Sequence, residues 1–166
     1  MKITSLLFIS LIFFSCKSLE ELKEEPQCPK GYECNAEVIA NKTLLILEDS
    51  IKKIYPKLED SDDFHVVKYT FKYEGQPEIA DDTYVETIYF QIPQDAKNLT
   101  LSGKGLAKVK LMAQKSCFCP DAGYELIKNG NLNVEKHKNS FRIKLKYDSE
   151  RNMRVNSLQT TVEIKA

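Results

Sequence analysis

Apolar and polar residues alternate with a period of two through most of the chain after Cys28, and turn-forming residues interrupt the alternation every few positions. Successive side chains of a β-strand point to opposite faces, so this period predicts strands with one face turned inward. Three runs carry it cleanly: His65, Val67, Tyr69, Phe71 and Tyr73; Tyr84, Ile88, Phe90 and Ile92; and Phe141, Ile143, Leu145 and Tyr147. Opposite the last set stand Arg142, Lys144 and Lys146, so that strand is expected to keep a wet face, as antiparallel sheets do. Weaker alternation predicts strands around residues 34–39, 43–48, 105–119, 124–128, 131–136 and 157–165. Asn129-Gly130 predicts a two-residue hairpin, because both residues tolerate positive φ, and Asn41-Lys42 reads as a second. A helical case exists only for residues 17–25 and 49–55.

Many short strands separated by turns predict an all-β fold. The expected form is an antiparallel β-sandwich, Ig-like in general form, with a small lipocalin-like β-barrel as the alternative. The chain has no tryptophan, which removes the buried anchor of many Ig domains and leaves the strand order open.

The first residues depart from this pattern. Met1-Lys2 leads into a run from Ile3 to Phe14 that carries no charge, and the next charge is Lys17. As a helix this run would cover about 20 Å, short of the ~30 Å hydrocarbon core of a bilayer. A basic start, an apolar run and the small residue Ser15 are the parts of a secretory signal. Ile12-Phe13-Phe14-Ser15-Cys16 resembles the lipobox of bacterial lipoproteins, with Phe13 at the usual leucine position. The resemblance implies cleavage before Cys16, a diacylglycerol on its thiol and an acylated amine, so the membrane becomes a partner through the acyl chains on Cys16. Two or more such chains hold a protein at a membrane effectively permanently. A lysine rather than an aspartate follows Cys16, which under the lipoprotein sorting rule implies the outer membrane, facing the periplasm or the cell surface. The expected organisation is a lipoprotein signal peptide at 1–15, a flexible acidic tether at 16–27 and a β-sandwich domain at 28–166. The charged stretch after Cys16 also resembles the export signals of surface lipoproteins in Bacteroidota.

Lysine and arginine together number 24 and so do aspartate and glutamate, a balance that gives no reason to expect a nucleic-acid partner. Four cysteines follow Cys16: Cys28, Cys34, Cys117 and Cys119. Outside the cytoplasm an even count reads as a disulfide framework, and the spacings lack the two-to-four-residue gaps of a Cys₄ zinc site. Cys117 and Cys119 in an extended strand would share a face, with Phe118 on the other. Both are therefore expected to reach back to Cys28 and Cys34, closing loops whose restriction contributes about 4 to 5 kcal/mol in the entropy model.

Candidate chemistry is sparse. His137 falls in an expected exposed turn and His65 on an inward strand face, and neither has a nucleophile motif beside it. Glu59-Asp60-Ser61-Asp62-Asp63 gathers carboxylates without the spacing of a calcium loop and reads as a solvated acidic loop; Asp81-Asp82 reads as a turn. Asn41-Lys42-Thr43 and Asn98-Leu99-Thr100 fit a glycosylation pattern that belongs to another secretory system, and Asp49-Ser50-Ile51 resembles the short O-glycosylation motif of Bacteroidota. Tyrosine and phenylalanine number eight each and are expected mainly in the core. No catalytic, cofactor-binding or metal-ligating residue is assigned.

Cys117-Phe118-Cys119, Gly123-Tyr124 and Asn129-Gly130 together resemble the small uncharacterised envelope lipoproteins of Bacteroidota, a resemblance that spans residues 28–166 and implies no activity. The expected function is thus that of a lipid-anchored envelope lipoprotein, a non-enzymatic binding or structural module with an envelope protein as its potential partner. The alternative is a carrier of a small apolar ligand inside a β-barrel.

Overall fold

The computed structural model describes residues 28, 30–76, 78, 79 and 81–164, so the expected signal peptide, Cys16 and the tether lie outside the described residues. Its strands are β1 (Glu33–Ile39), β2 (Lys42–Glu48), β3 (Ile54–Asp60), β4 (Phe64–Tyr73), β5 (Tyr84–Pro93), β6 (Asn98–Ser102), β7 (Met112–Ser116), β8 (Gly123–Leu126), β9 (Asn129–His137), β10 (Ser140–Asp148) and β11 (Ser157–Glu163). A 3₁₀ helix spans Gly103–Val109.

Two antiparallel sheets pack face to face, a five-stranded one ordered β1-β4-β5-β7-β8 and a four-stranded one ordered β11-β10-β9-β6. This is the expected all-β sandwich. In β10 the reason is visible residue by residue: Phe141, Ile143, Leu145 and Tyr147 are buried, while Lys144, Lys146 and Asp148 are exposed. The inner faces meet in one cluster in which Phe71, Phe90, Phe141 and Tyr147 are among the largest fully buried side chains. These side chains fill the space between the sheets, so no closed lipocalin-like barrel forms. The barrel interior that the carrier reading invoked is therefore not formed.

A third layer lies on the outside of the five-stranded sheet, where β2 and β3 form a separate hairpin. Its Leu44 is fully buried, and the Gln91 side-chain oxygen on β5 accepts from the Leu44 amide at 3.1 Å and the Thr43 hydroxyl at 3.0 Å. β4 and β5 are therefore covered on both faces, which is why the pair Val66-Val67 interrupts the alternation and both residues are buried. One side of the sandwich is drawn together where Val38 of β1 bridges Ile164 beyond β11. On the other side the chain passes from β6 to β7 through the 3₁₀ helix, whose Leu106 and Val109 join the core. The edge strands β6 and β8 are short, five and four residues, a feature that limits edge-to-edge pairing.

Several expectations need correction. Residues 105–119 do not form one strand: the first part is the 3₁₀ helix, and left-handed Lys110 (φ 52°) breaks the extension before β7. Residues 49–55 are not helical but form the β2–β3 turn and the start of β3, with the Asp49 carboxylate accepting from the Ile51 and Lys53 amides at 2.9 Å each. Asn129-Gly130 closes no hairpin, because β8 pairs with β7 and β9 with β10, and both residues lie within β9. Gly130 (φ 147°) is needed instead because the β10 backbone passes so close that a Cβ would overlap the Lys146 carbonyl. Asn41-Lys42 is a corner between sheets, since β1 pairs with β4 and β2 with β3.

The disulfide pairing differs as well. Cys28 bonds Cys34 and Cys117 bonds Cys119, with Cα separations of 5.7 and 5.3 Å. The cross-link between the two segments is excluded by strand order. Cys34 lies on β1, Cys117 follows β7, and β4 and β5 stand between them. Three inter-strand steps of about 4.8 Å exceed the 4.4–6.8 Å that a bridge spans. The local Cys117–Cys119 bond becomes available because β7 ends at Ser116 and the chain bends before Pro120, so the pleat that would hold the two thiols apart is absent.

Candidate functional site

The outer face of the four-stranded sheet is polar from edge to edge. The alternation that sends Leu99 and Leu101 of β6, Leu132 and Val134 of β9, and Leu158 and Val162 of β11 inward sends hydroxyls, amides and charges outward. Strand register aligns them in rows across the sheet. One row runs Ser157, Lys146, Asn131, Ser102; the next runs Gln159, Lys144, Asn133, Thr100; a third runs Thr161, Arg142, Glu135, Asn98. Within the second row the Asn133 amide donates to the Thr100 hydroxyl at 3.1 Å. No aromatic or aliphatic side chain belongs to these rows.

The first two rows lie in a depression of about 760 Å³, which Arg154, Val155 and Asn156 border at one end. Its lining includes Lys144, Lys146 and Arg154 and no carboxylate. Glu135, the acidic member of the third row, lies outside it, 3.5 Å from His137 Nε2 and 4.0 Å from Arg142. The electrostatic character of the depression is therefore cationic, although the whole chain is neutral.

The wall at residues 149–156 is held by polar groups inside the sandwich. Glu86 of β5 is only 1% exposed, and its carboxylate accepts from the backbone amides of Arg154 and Val155 (the latter at 2.9 Å) and from the Tyr84 hydroxyl. Tyr147 in turn donates to the Val155 carbonyl. Burial, followed by the hydrogen bond to Glu86, raises the Tyr84 phenol well above its ordinary value; burial does the same to Tyr147. The Arg154 guanidinium lies 4.0 Å from the Tyr84 ring centroid and donates to the Tyr32 hydroxyl at 3.2 Å, a cation–π arrangement that ties the wall to the start of the domain. Beside it, buried Lys115 donates to Asp121 at 2.7 Å and to the Asn152 carbonyl at 2.8 Å, and this hydrogen bond lowers the Asp121 carboxyl below its ordinary value. Arg151 donates to the Ala122 and Tyr124 carbonyls at 3.2 and 3.0 Å. The wall is thus fixed to four strands, β5, β7, β8 and β10.

The residues singled out by sequence do not gather at this place. His65 is buried on the inner face of β4, its Nδ1 accepting from the Asn41 amide at 3.3 Å, and burial together with nearby Lys136 lowers its pKa. His137 is exposed at the end of β9. In the acidic run Glu59 pairs with Lys57 and Asp60 with Lys42, and among the described residues no group of three metal-ligating side chains converges. Asn98 and Thr100 stand on β6, Asn41 at the sheet corner and Ser50 in the β2–β3 turn. Sequence reading saw the wet face of β10 but missed its neighbours. The signal that could have found them is the polar half of the alternation in Asn131, Asn133 and Glu135 and in Ser157, Gln159 and Thr161, which register alone brings beside Lys144 and Lys146. No family model, curated protein or solved structure matches this chain.

Proposed function

We propose that this chain is a lipid-anchored, outer-membrane envelope lipoprotein that acts as a non-enzymatic binding module, and that the outer face of the four-stranded sheet is its recognition surface. The ligand is an acidic polysaccharide of the envelope. The observation that carries this reading is the depression itself: about 760 Å³, with the three cations Lys144, Lys146 and Arg154, several hydroxyls and amides and no carboxylate in a lining that also includes Tyr69, Val155 and the inward-facing leucines of the same strands. Protein-binding surfaces concentrate aromatic and other apolar side chains at their centre, and these rows have none. An oxygen-rich anionic chain offers negative charge to the three cations of the depression, acceptors to its amide N–H groups, and hydroxyl donors to its amide and hydroxyl oxygens. The anchor rests on the lipobox resemblance ending at Cys16.

Two measurements test the two halves. Cells fed a fatty-acid analogue should label the wild-type chain and leave Cys16→Ala unlabelled; equal labelling refutes the anchor. Protein isolated from envelope fractions should carry uronic-acid or phosphate-containing saccharide, and Lys144→Glu/Lys146→Glu should carry far less. Equal saccharide content in the two proteins refutes the recognition surface.

A further inference from the structure

The end of the sandwich at which the chain enters carries two outward-pointing apolar side chains. Cys28 is bonded to Cys34 on β1, and β1 begins at Glu33 opposite Lys72 of β4. Tyr73 pairs with Tyr84 across the β4–β5 connection, and Val85 pairs with Ser116 at the end of β7. The β4–β5 loop and the Cys117–Cys119 loop therefore leave the sheet at the end where Cys28 lies. Phe118 at the tip of the second loop is 91% exposed and Ile79 in the first is 51% exposed. The bond between Cys117 and Cys119 closes the shortest of loops around Phe118, so the ring is held out from the surface and does not fold back on the core, in which Phe71, Phe90 and Phe141 lie.

The chain between Cys16 and Cys28 is twelve peptide steps long, so its full extension is about 40 Å. Acyl chains on Cys16 would thus hold this end of the domain within about 40 Å of the bilayer, nearer the point of attachment than the end with the β9–β10 turn. We infer that Phe118, seconded by Ile79, seats the entry end of the domain on the lipid surface in which Cys16 is anchored. An aromatic ring on a rigid loop suits the headgroup level of a bilayer, where an amphipathic or apolar side chain leaves water without crossing the membrane. The seat fixes the domain's orientation, and the polar face of the four-stranded sheet then stands beside the membrane rather than against it. This inference rests on the lipid-anchor reading.

The absence of tryptophan makes the test clean. The full chain carrying F118W is purified from cells in its processed form and reconstituted in phosphatidylcholine vesicles; H137W, at the exposed end of β9 on the far side of the domain, serves as the comparison. The expected result is co-flotation of both proteins with the vesicles, with blue-shifted emission and quenching by brominated lipid for F118W and neither for H137W. Flotation with a solvent-like, iodide-quenched F118W indole overturns the seat and leaves the anchor standing. Loss of flotation overturns the anchor and the seat together. Shielding of the F118W indole by an envelope protein extract, with no response to brominated lipid, also overturns it, because the occupant of that end is then a protein.

Discussion

Replacing Glu86 by alanine should loosen the wall of the depression and destabilise the whole domain. The carboxylate accepts hydrogen bonds from the Arg154 and Val155 amides and the Tyr84 hydroxyl, and the Val155 and Tyr84 residues are themselves buried. Arg154 is exposed, so its amide can turn to water. The other two donors cannot, and each buried donor left without a partner costs about 1 to 3 kcal/mol. The two together give a loss of about 2 to 6 kcal/mol, a large fraction of the 5 to 15 kcal/mol that holds a typical domain together. Glu86→Gln keeps one acceptor oxygen and the shape of the side chain, so its loss should be nearer the lower end. Urea denaturation followed by circular dichroism measures both losses, and hydrogen exchange at the Val155 amide reports whether the wall opens locally. An alanine variant within about 0.5 kcal/mol of wild type, the range of an ordinary surface substitution, with unchanged Val155 protection would refute the reasoning.

Other outcomes follow from the same structure. Non-reducing peptide mapping should recover Cys28–Cys34 and Cys117–Cys119; with separations of only six and two residues, reduction should cost about 2 kcal/mol or less per bridge in the entropy model, and a mapped cross-link between the segments contradicts the strand order. Because burial lowers the pKa of His65, the unfolded chain takes up a proton at higher pH than the fold does. Stability should therefore fall as the pH drops from the ordinary histidine value of about 6.5 through the lowered one, and an identical slope in His65→Gln refutes the assignment. Gly130→Ala forces a side chain onto the β10 backbone at positive φ, for a loss of at least about 1 to 3 kcal/mol by thermal denaturation; a neutral effect means that β9 and β10 approach less closely than described.

The strands that alternate most strongly, β4, β5 and β10, were legible because one face of each meets the core and the other does not, or meets only a thin cover. β3 and β6 were not. β3 carries Pro56 and the acidic pair Glu59-Asp60 and owes its place to pairing with β2, while β6 is five residues long and owes its place to β9. Asn129-Gly130 was misread because a glycine demanded by a neighbouring backbone has the same sequence signature as one demanded by a turn. The cysteine pairing was not legible because residues 117–119 read as a continuation of the strand before them, whereas pairing of β7 with β5 stops at Ser116. The polar face of the four-stranded sheet was half legible. Lys144 and Lys146 announced a wet face, but the amides and hydroxyls that flank them come from strands whose register no local pattern encodes. Glu86 looked like any polar residue in a strand, and only the return of residues 154 and 155 to that point gives it a partner.

The most direct test of the recognition surface is a calorimetric titration of the processed protein with polygalacturonate, an acidic polysaccharide, and with neutral dextran, repeated for Lys144→Glu/Lys146→Glu. Two exposed ion pairs of about 0.2 to 1 kcal/mol each, exchanged for repulsions of similar size, total about 0.8 to 4 kcal/mol, a loss of affinity that starts at about fourfold. Binding of polygalacturonate but not dextran, weakened by salt and by at least that factor in the variant, is the predicted result; equal affinity in the two proteins, or no binding of the acidic polymer by either, would contradict it.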